Sequence, residues 1–219
     1  MLSQSVENFV KEVYDLQQET GWASTSALAE RLSHRPASVT NMTQKLARQE
    51  GALVEHRPYH GVRLTAAGER IALEVIRHHR LIELYLAEAL GVPWDRVHDE
   101  AERLEHAISE DLEERIAASL TDTRRDPHGS PIPTKDLEIE KDSTVPLSDV
   151  DPGASVRVVE VYDHDPELLR YLGSLGLYPG TEFELLSKET YGKSLEIRCG
   201  GKRLTVGEEA LPHVSVCTV

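Results

Sequence analysis

Cysteine, positive charge and long apolar runs are all scarce in this sequence of 219 residues. The two cysteines, Cys199 and Cys217, form no C-x-x-C pair, so neither a disulfide scaffold nor a thiolate zinc site is expected. No apolar run reaches the roughly 18 residues of a membrane span, and the N-terminus lacks the basic-then-apolar pattern of a signal peptide. We therefore expect a cytoplasmic protein with no membrane partner.

Basic residues are outnumbered by acidic ones, 24 to 38, and the formal net charge is -14. Such acidity argues against a nucleic-acid partner, because phosphate binding needs local positive potential. The acidity is uneven, however. Residues 1–72 carry eight basic and eight acidic side chains, residues 73–140 carry eight and seventeen, and residues 141–219 carry eight and thirteen. The first segment is therefore neutral, and its charge permits an approach to DNA.

The first segment has the pattern of a winged helix-turn-helix. Apolar residues at positions 9, 10, 13 and 16 predict a helix that ends before Gly21. A shorter helix over 25–32 follows, and Pro36 suits the first turn of a third helix, Ala37–Gln49. Residues 53–56 and 62–65 read as two strands joined by a turn. This order of elements is typical of a DNA-binding head whose third helix reads the major groove.

Polar residues on and around the third helix predict its contacts with DNA. Hydrogen bonds to base edges are expected from Ser38, Thr40, Asn41 and Gln44. Phosphate contacts are expected from Arg35, Lys45, Arg57 and His60. An ordinary solvated position is the alternative for each residue alone, but the ordered set favours DNA binding.

The rest of the chain predicts a helical segment followed by a small β-barrel. Thr65 caps a long helix that ends at Gly91, and two more helices follow, from Asp95 to Ile108 and from Ser109 to Leu120. Their wide apolar stripes predict a dimerisation unit. An irregular loop over 127–133 and a linker over 141–153 precede short strands and one helix. The predicted fold is mainly α with α+β elements.

Histidines and carboxylates of the middle segment predict a metal site. His79 and Glu83 stand four residues apart and share a helix face. On the next predicted helix, one arc carries His98, Glu102, Glu105 and His106. Half-buried carboxylates repel one another unless cations compensate, and a divalent metal takes neutral histidine and ionised carboxylate as ligands. The absence of cysteine from the middle segment favours Mn(II) over zinc or copper(I), although the Irving–Williams order opposes manganese. A solvated acidic helix face is the alternative.

These segments together resemble the diphtheria-toxin-repressor family of metal-dependent transcriptional regulators. The resemblance is carried by the winged helix, by the segments His79–Glu83 and Val97–His106, by the loop Pro127–Pro133 and by the barrel. It implies a DNA-binding domain over 1–72, a metal-binding and dimerisation domain over 73–140, a linker over 141–153 and an SH3-like, FeoA-like barrel over 154–219.

The resemblance also implies two sets of ligands. One site would use Asn8, Glu102, Glu105 and His106. The other would use His79, Glu83 and His98, completed by Glu160 and Asp163 from the barrel. Iron-responsive members have cysteine where this chain has Glu102, so this position resembles the manganese branch. That branch usually has aspartate at the position of Asn8, and Lys11 replaces a second carboxylate of some of its members.

The implied function is a homodimeric repressor of metal-uptake genes that binds a palindromic operator with Mn(II) as corepressor. Fe(II) or another divalent transition metal is the alternative cofactor. A di-metal carboxylate enzyme is a rival, but it needs Glu-x-x-His on two helices, and no histidine here has glutamate three residues before it. A metal storage or delivery protein would explain the ligands but not the winged helix.

Overall fold

The computed structural model describes residues 2–140, 142–189 and 194–219, so Met1 and Lys141, the first residues of the predicted head and linker, lie outside the described residues. The helices are α1 (Gln4–Thr20), α2 (Thr25–Arg31), α3 (Pro36–Arg48), α4 (Ala66–Glu88), α5 (Val97–Leu104), α6 (Glu110–Ser119) and α7 (Pro166–Ser174). The strands are β1 (Val54–Arg57), β2 (Gly61–Leu64), β3 (Val145–Pro146), β4 (Ser155–Val161), β5 (Glu182–Glu189), β6 (Ser194–Cys199), β7 (Lys202–Gly207) and β8 (Val214–Thr218). The elements form two compact units, Met1–His78 with Pro133–Glu138, and His79–Ile132 with Ile139–Val219.

The first unit begins with the predicted helix-turn-helix. Its first helix, α1, is capped by Gly21, which has a left-handed φ of 78° and whose N–H donates to the carbonyl of Gln17. The hydroxyl of Ser24 accepts a hydrogen bond from the N–H of Ala27 at 3.1 Å and so caps α2. Pro36 opens α3, where its missing N–H leaves nothing unpaired. The apolar face that α1 buries consists of Val6, Phe9, Val10, Val13 and Leu16.

Strands β1 and β2 form the antiparallel hairpin of the predicted wing. The segment before α2 joins this hairpin, because Ala23 and Val62 exchange backbone hydrogen bonds of 2.8 and 2.9 Å. Gly61 has a φ of 114°, and a Cβ at this position would lie 2.3 Å from the carbonyl oxygen of Ala23. Only glycine allows the two backbones to approach this closely.

The helical part of the second unit comprises the C-terminal portion of α4 together with α5 and α6. One apolar cluster contains Leu81, Leu84, Ile116 and Ile132, and another contains Ile82, Leu86, Val97 and Ala101. The predicted helix from Asp95 to Ile108 is wrong at its C-terminal end, because α5 stops at Leu104 and a turn follows. Glu105 is the C-cap residue, with helical φ and ψ and its N–H donating to the carbonyl of Ala101, whereas His106 follows in the turn.

The C-terminal part of the second unit is a six-stranded antiparallel sheet with the order β3-β8-β4-β5-β6-β7. Its strands follow the predicted alternation, and their inward side chains form one core that includes Val158, Phe183, Leu195 and Val216. Helix α7 covers this core and is capped by Asp165, whose carboxylate accepts from two backbone N–H groups. This is the predicted SH3-like barrel.

The predicted linker over 141–153 contributes to the barrel. Strand β3 pairs with β8, and Leu147 and Val150 are buried in the barrel core. The proline, aspartate and serine residues of this segment predicted a linker. Two buried apolar residues in a short irregular segment show no periodicity that would have predicted their place in the barrel core. No helix of the described residues is both long and apolar enough to cross a membrane.

The contact between Gly61 and Ala23 predicts a large effect of one added methyl group. We expect Gly61→Ala to lower the free energy of unfolding by about 3 kcal/mol, because backbone strain and a steric clash combine. Gly51→Ala is the matched control, since Gly51 has a φ of 68° and open space around an added Cβ. This control should lose only about 1–2 kcal/mol. Urea unfolding followed by circular dichroism measures both, and equal losses would contradict the assigned clash.

Candidate metal centre and DNA-binding surface

Two helices of the second unit bring two histidines to one carboxylate oxygen. His79 and Glu83 lie one turn apart on α4, with 3.0 Å between His79 Nε2 and Glu83 Oε1. His98 extends from α5, and its Nδ1 lies 3.1 Å from His79 Nε2 and 3.2 Å from Glu83 Oε1. Three predicted ligands of one site therefore converge, with atoms that a metal ion could bind.

The barrel adds a fourth side chain to this group. Asp163 follows β4, and its Oδ2 lies 3.6 Å from Nδ1 of His98. One ligand atom from each of these four residues lies within 4.8 Å of the other three. Glu160 is not a member of this group; its carboxylate accepts a hydrogen bond from the hydroxyl of Ser130. Of the two barrel carboxylates expected at this site, the structure brings only Asp163 to it.

A loop between α6 and β3 supplies a histidine that the sequence analysis missed. His128 is fully buried, and its Nδ1 lies 3.8 Å from both Glu83 Oε2 and Asp163 Oδ2. Its Nε2 lies 2.8 Å from the carbonyl oxygen of Trp94. Because a carbonyl only accepts, Nε2 carries a proton, and Nδ1 is the nitrogen that could bind a metal in place of its own proton. Burial lowers the pKa of His128, but Glu83, Asp126 and Asp163 raise it to about 9. His128 thus aims a metal-binding atom at the second oxygen of Glu83.

Backbone contacts hold this loop against β4. The carbonyl of His128 accepts from the N–H of Val161 at 2.9 Å. Gly129 has a φ of 93°, and a Cβ there would lie 1.9 Å from the carbonyl oxygen of Val159. In the sequence, the glycine and prolines around His128 indicate an irregular loop, but they do not specify where this loop packs.

Asp126 is the second residue of this loop that sequence reasoning missed. Its Oδ1 accepts from the N–H groups of His128 and Ser130 at 2.8 and 3.0 Å. Burial and the charge of Glu83 raise the pKa of Asp126 to about 7. Asp126 and His128 also form, with Glu83, a buried group whose ligand atoms lie within 4.8 Å of one another.

Opposite charges outweigh burial at the centre of the cluster. Burial alone raises the pKa of Glu83, but the charge of His79 and the contacts of His98 and His128 hold it well below its usual value. Burial alone lowers the pKa of His98, but Asp163 and Glu83 raise it to about 10. Positive charge on imidazole therefore balances the buried carboxylates.

His79 also faces the second predicted set of ligands. Its Nδ1 lies 2.5 Å from Glu105 Oε2 and 3.9 Å from Glu102 Oε1. His106 Nε2 lies 3.1 Å from Glu105 Oε1. The structure therefore brings together the three members of this set that belong to the second unit. Asn8 is on α1 of the first unit, and its place in this site stays a prediction.

The predicted DNA contacts lie in the first unit. Seven of the eight side chains are exposed, namely Arg35, Ser38, Asn41, Gln44, Lys45, Arg57 and His60. Thr40 is half-buried, and its hydroxyl donates to the carbonyl of Pro36 at 3.0 Å. Their individual contacts with bases and phosphates stay predictions.

Comparison with known protein families divides the chain into three parts. Residues 1–62 match "Iron dependent repressor, N-terminal DNA binding domain", residues 65–134 match "Iron dependent repressor, metal binding and dimerisation domain", and residues 145–217 match "FeoA domain". Together these matches cover most of the sequence.

Some relatives of this chain are named for iron and others for manganese. The diphtheria toxin repressor of Corynebacterium efficiens is 31% identical over 198 residues, covering 86% of this chain and 85% of that protein. The iron-dependent repressor IdeR of Mycobacterium tuberculosis is 30% identical over 227 residues, covering 98% and 97%. A solved manganese-dependent transcriptional repressor in complex with manganese is 33% identical, with a TM-score of 0.89 over 98% of this chain and 100% of that one.

The family consists of DNA-binding repressors and not of enzymes. The rival hypothesis of a di-metal carboxylate enzyme is therefore not supported. On this evidence the chain belongs to the diphtheria-toxin-repressor family and is a metal-dependent transcriptional repressor.

Proposed function

We propose that this chain is a Mn(II)-responsive repressor that acts in the cytoplasm. It binds a palindromic operator as a homodimer and controls metal-uptake genes. The observation that carries the choice of metal is the buried group of nitrogen and oxygen atoms around Glu83, which contains no sulfur ligand. Carboxylate ligands suit harder divalent ions such as Mn(II), imidazole binds several transition metals, and the thiolates that suit zinc, copper(I) and iron–sulfur clusters are not part of this group.

Unpaired buried atoms support the fit of a divalent cation to this group. Glu83 Oε2, Asp126 Oδ2 and His128 Nδ1 are buried and have no hydrogen-bond partner among the described residues. Their nearest charged groups are at ion-pair distance only, 3.7 Å from Asp126 Oδ2 to Nε of Arg80 and 3.8 Å from Glu83 Oε2 to His128 Nδ1. Leaving such atoms unpaired in a protein interior is costly. A bound cation supplies the positive charge that satisfies them. We assign this role to Glu83 together with His79, His98, Asp126, His128 and Asp163.

We also propose that a second metal ion is held by Asn8, Glu102, Glu105 and His106. The contact of His79 Nδ1 with Glu105 supports a link between the two sets, because a carboxylate on one ring nitrogen orients the other toward a metal. Glutamate at position 102 favours Mn(II), while relatives named for iron keep Fe(II) as the second candidate.

The ligands around Glu83 come from separate parts of the second unit. Glu83 lies on α4, His128 lies on the loop, and Asp163 follows β4 of the barrel. A cation held by all three therefore favours one arrangement of the helical part and the barrel. A metal shifts binding to DNA only as far as it prefers the conformation that binds DNA.

Operator binding is expected to depend on Mn(II). A duplex can be selected from a random-sequence pool with the full-length protein and MnCl2, and its affinity can be measured by fluorescence anisotropy with MnCl2 or with EDTA. We expect binding to be about tenfold tighter or more with Mn(II), since coupling between sites is commonly of this size. Equal affinity in both conditions would reject the proposed switch.

Glu83→Gln is expected to weaken Mn(II) binding by about tenfold or more, because the amide keeps the shape but removes the charge at the centre of the ligands. Bound ions can be counted from the loss of the electron paramagnetic resonance signal of aqueous Mn(II). Glu182→Gln is the matched control, since Glu182 is exposed and pairs with Arg157 on the barrel surface. Unchanged binding in Glu83→Gln would remove Glu83 from the metal site.

The variants Glu160→Gln and Asp163→Asn show which of the two barrel carboxylates implied by the family resemblance is a metal ligand. Because Glu160 bonds to Ser130, we expect this variant to retain its Mn(II), whereas Asp163→Asn loses affinity. The same resonance titration measures both variants. Loss of an ion in Glu160→Gln but not in Asp163→Asn would reverse the assignment.

A further inference from the structure

The indole of Trp22 contacts both arginines of the wing. The guanidinium carbon of Arg57 lies 4.9 Å from the centre of the indole ring, and that of Arg63 lies 5.0 Å from it. These distances are within the range of cation–π attraction. Trp22 belongs to neither the recognition helix α3 nor the hairpin, and the sequence pattern assigned it no role.

Backbone pairing explains why this tryptophan reaches the wing. The next residue, Ala23, is fully buried and pairs with Val62 of β2. Side chains alternate across a sheet, so Trp22 lies on the opposite, solvent-facing side. That side of the hairpin carries Arg57 and Arg63, both exposed.

The charges on this face do not cancel. Glu55 is the cross-strand partner of Arg63, and one of its oxygens lies 3.0 Å from the Arg63 guanidinium and 3.9 Å from that of Arg57. One carboxylate thus faces two guanidinium groups. Both arginine side chains keep much of their surface open, 61% for Arg57 and 45% for Arg63. Stacking covers the flat faces of a guanidinium and leaves its N–H edge available to an anion.

We propose that Trp22 is a positioning residue that holds Arg57 and Arg63 as a preassembled clamp for the phosphodiester backbone of duplex DNA. The proposal deepens the DNA-binding function and rests on it. A long arginine side chain loses rotamer freedom when it grips a phosphate, and ordering it beforehand lowers that cost. The clamp adds affinity without reading bases, so it acts equally on operator and non-operator DNA.

The test measures the affinity of the full-length protein with MnCl2 for the selected operator duplex and for a mixed-sequence duplex, over a range of salt concentrations. Trp22→Leu keeps every charge, so we expect about threefold to tenfold weaker binding to both duplexes with an unchanged salt slope. Trp22→Phe, which keeps a smaller aromatic face, should fall between Trp22→Leu and the wild type.

Variants of the two arginines test the charge of the clamp, whereas the Trp22 variants test its positioning. The double variant R57Q/R63Q should lower the salt slope by about 2, since each phosphate contact contributes about 0.9. Adding Trp22→Leu to this double variant should cause no further loss, because the indole then has no guanidinium to position. Arg157→Gln on the barrel is the control for removal of an exposed arginine.

Three results would overturn the clamp. The first is wild-type affinity in Trp22→Leu, and the second is an equal loss from Trp22→Leu in the presence and absence of the two arginines. The third is an unchanged salt slope in R57Q/R63Q, which decides the question even if Trp22→Leu does not fold. Failure of the DNA-binding function is recognised separately, because the wild type itself would then bind neither duplex.

Discussion

The buried negative charge of Glu83 is the constraint on which the second unit depends. Its carboxylate has no exposed surface, and such a charge is tolerated only when opposite charges or hydrogen-bond donors surround it. Imidazoles from α4, α5 and the loop surround it here, and they belong to His79, His98 and His128. Segments that are distant in sequence must therefore be placed accurately around one side chain. The apolar clusters of the helices and the backbone bonds of the loop provide that placement.

The ligands of this site are positioned in two ways, by regular helix geometry and by tertiary contacts. The positions of His79 and Glu83 follow from regular helix geometry, since residues four apart share a face. Those of His128 and Asp163 depend on the register between the loop and β4, where the Val161 N–H bonds to the His128 carbonyl and Gly129 allows close approach. The site therefore combines a rigid helical half with a half whose geometry is set by tertiary contacts.

This division also explains how much could be predicted from the sequence. Capping residues and apolar spacing predicted the helix-turn-helix, the wing and the barrel strands, because these signals are local. His128 was missed, since no local pattern encodes where an irregular loop packs. Family resemblance placed Glu160 and Asp163 together, but only tertiary packing separates a carboxylate bound to Ser130 from one beside His98. The early end of α5 was likewise not predicted: Glu105 is its C-cap with helical φ and ψ, and His106 follows in the turn.

The two tryptophans give each unit its own optical reporter. Trp22 touches the wing arginines, whereas Trp94 stacks on His128 with ring centres 5.9 Å apart and an interplanar angle of 28°. Indole emission responds to a charged or metal-bound neighbour. Light emitted by Trp22 therefore senses what reaches the wing, and light emitted by Trp94 senses the state of the imidazole beside Glu83. Replacing either indole would let the remaining one follow a single event without any attached dye.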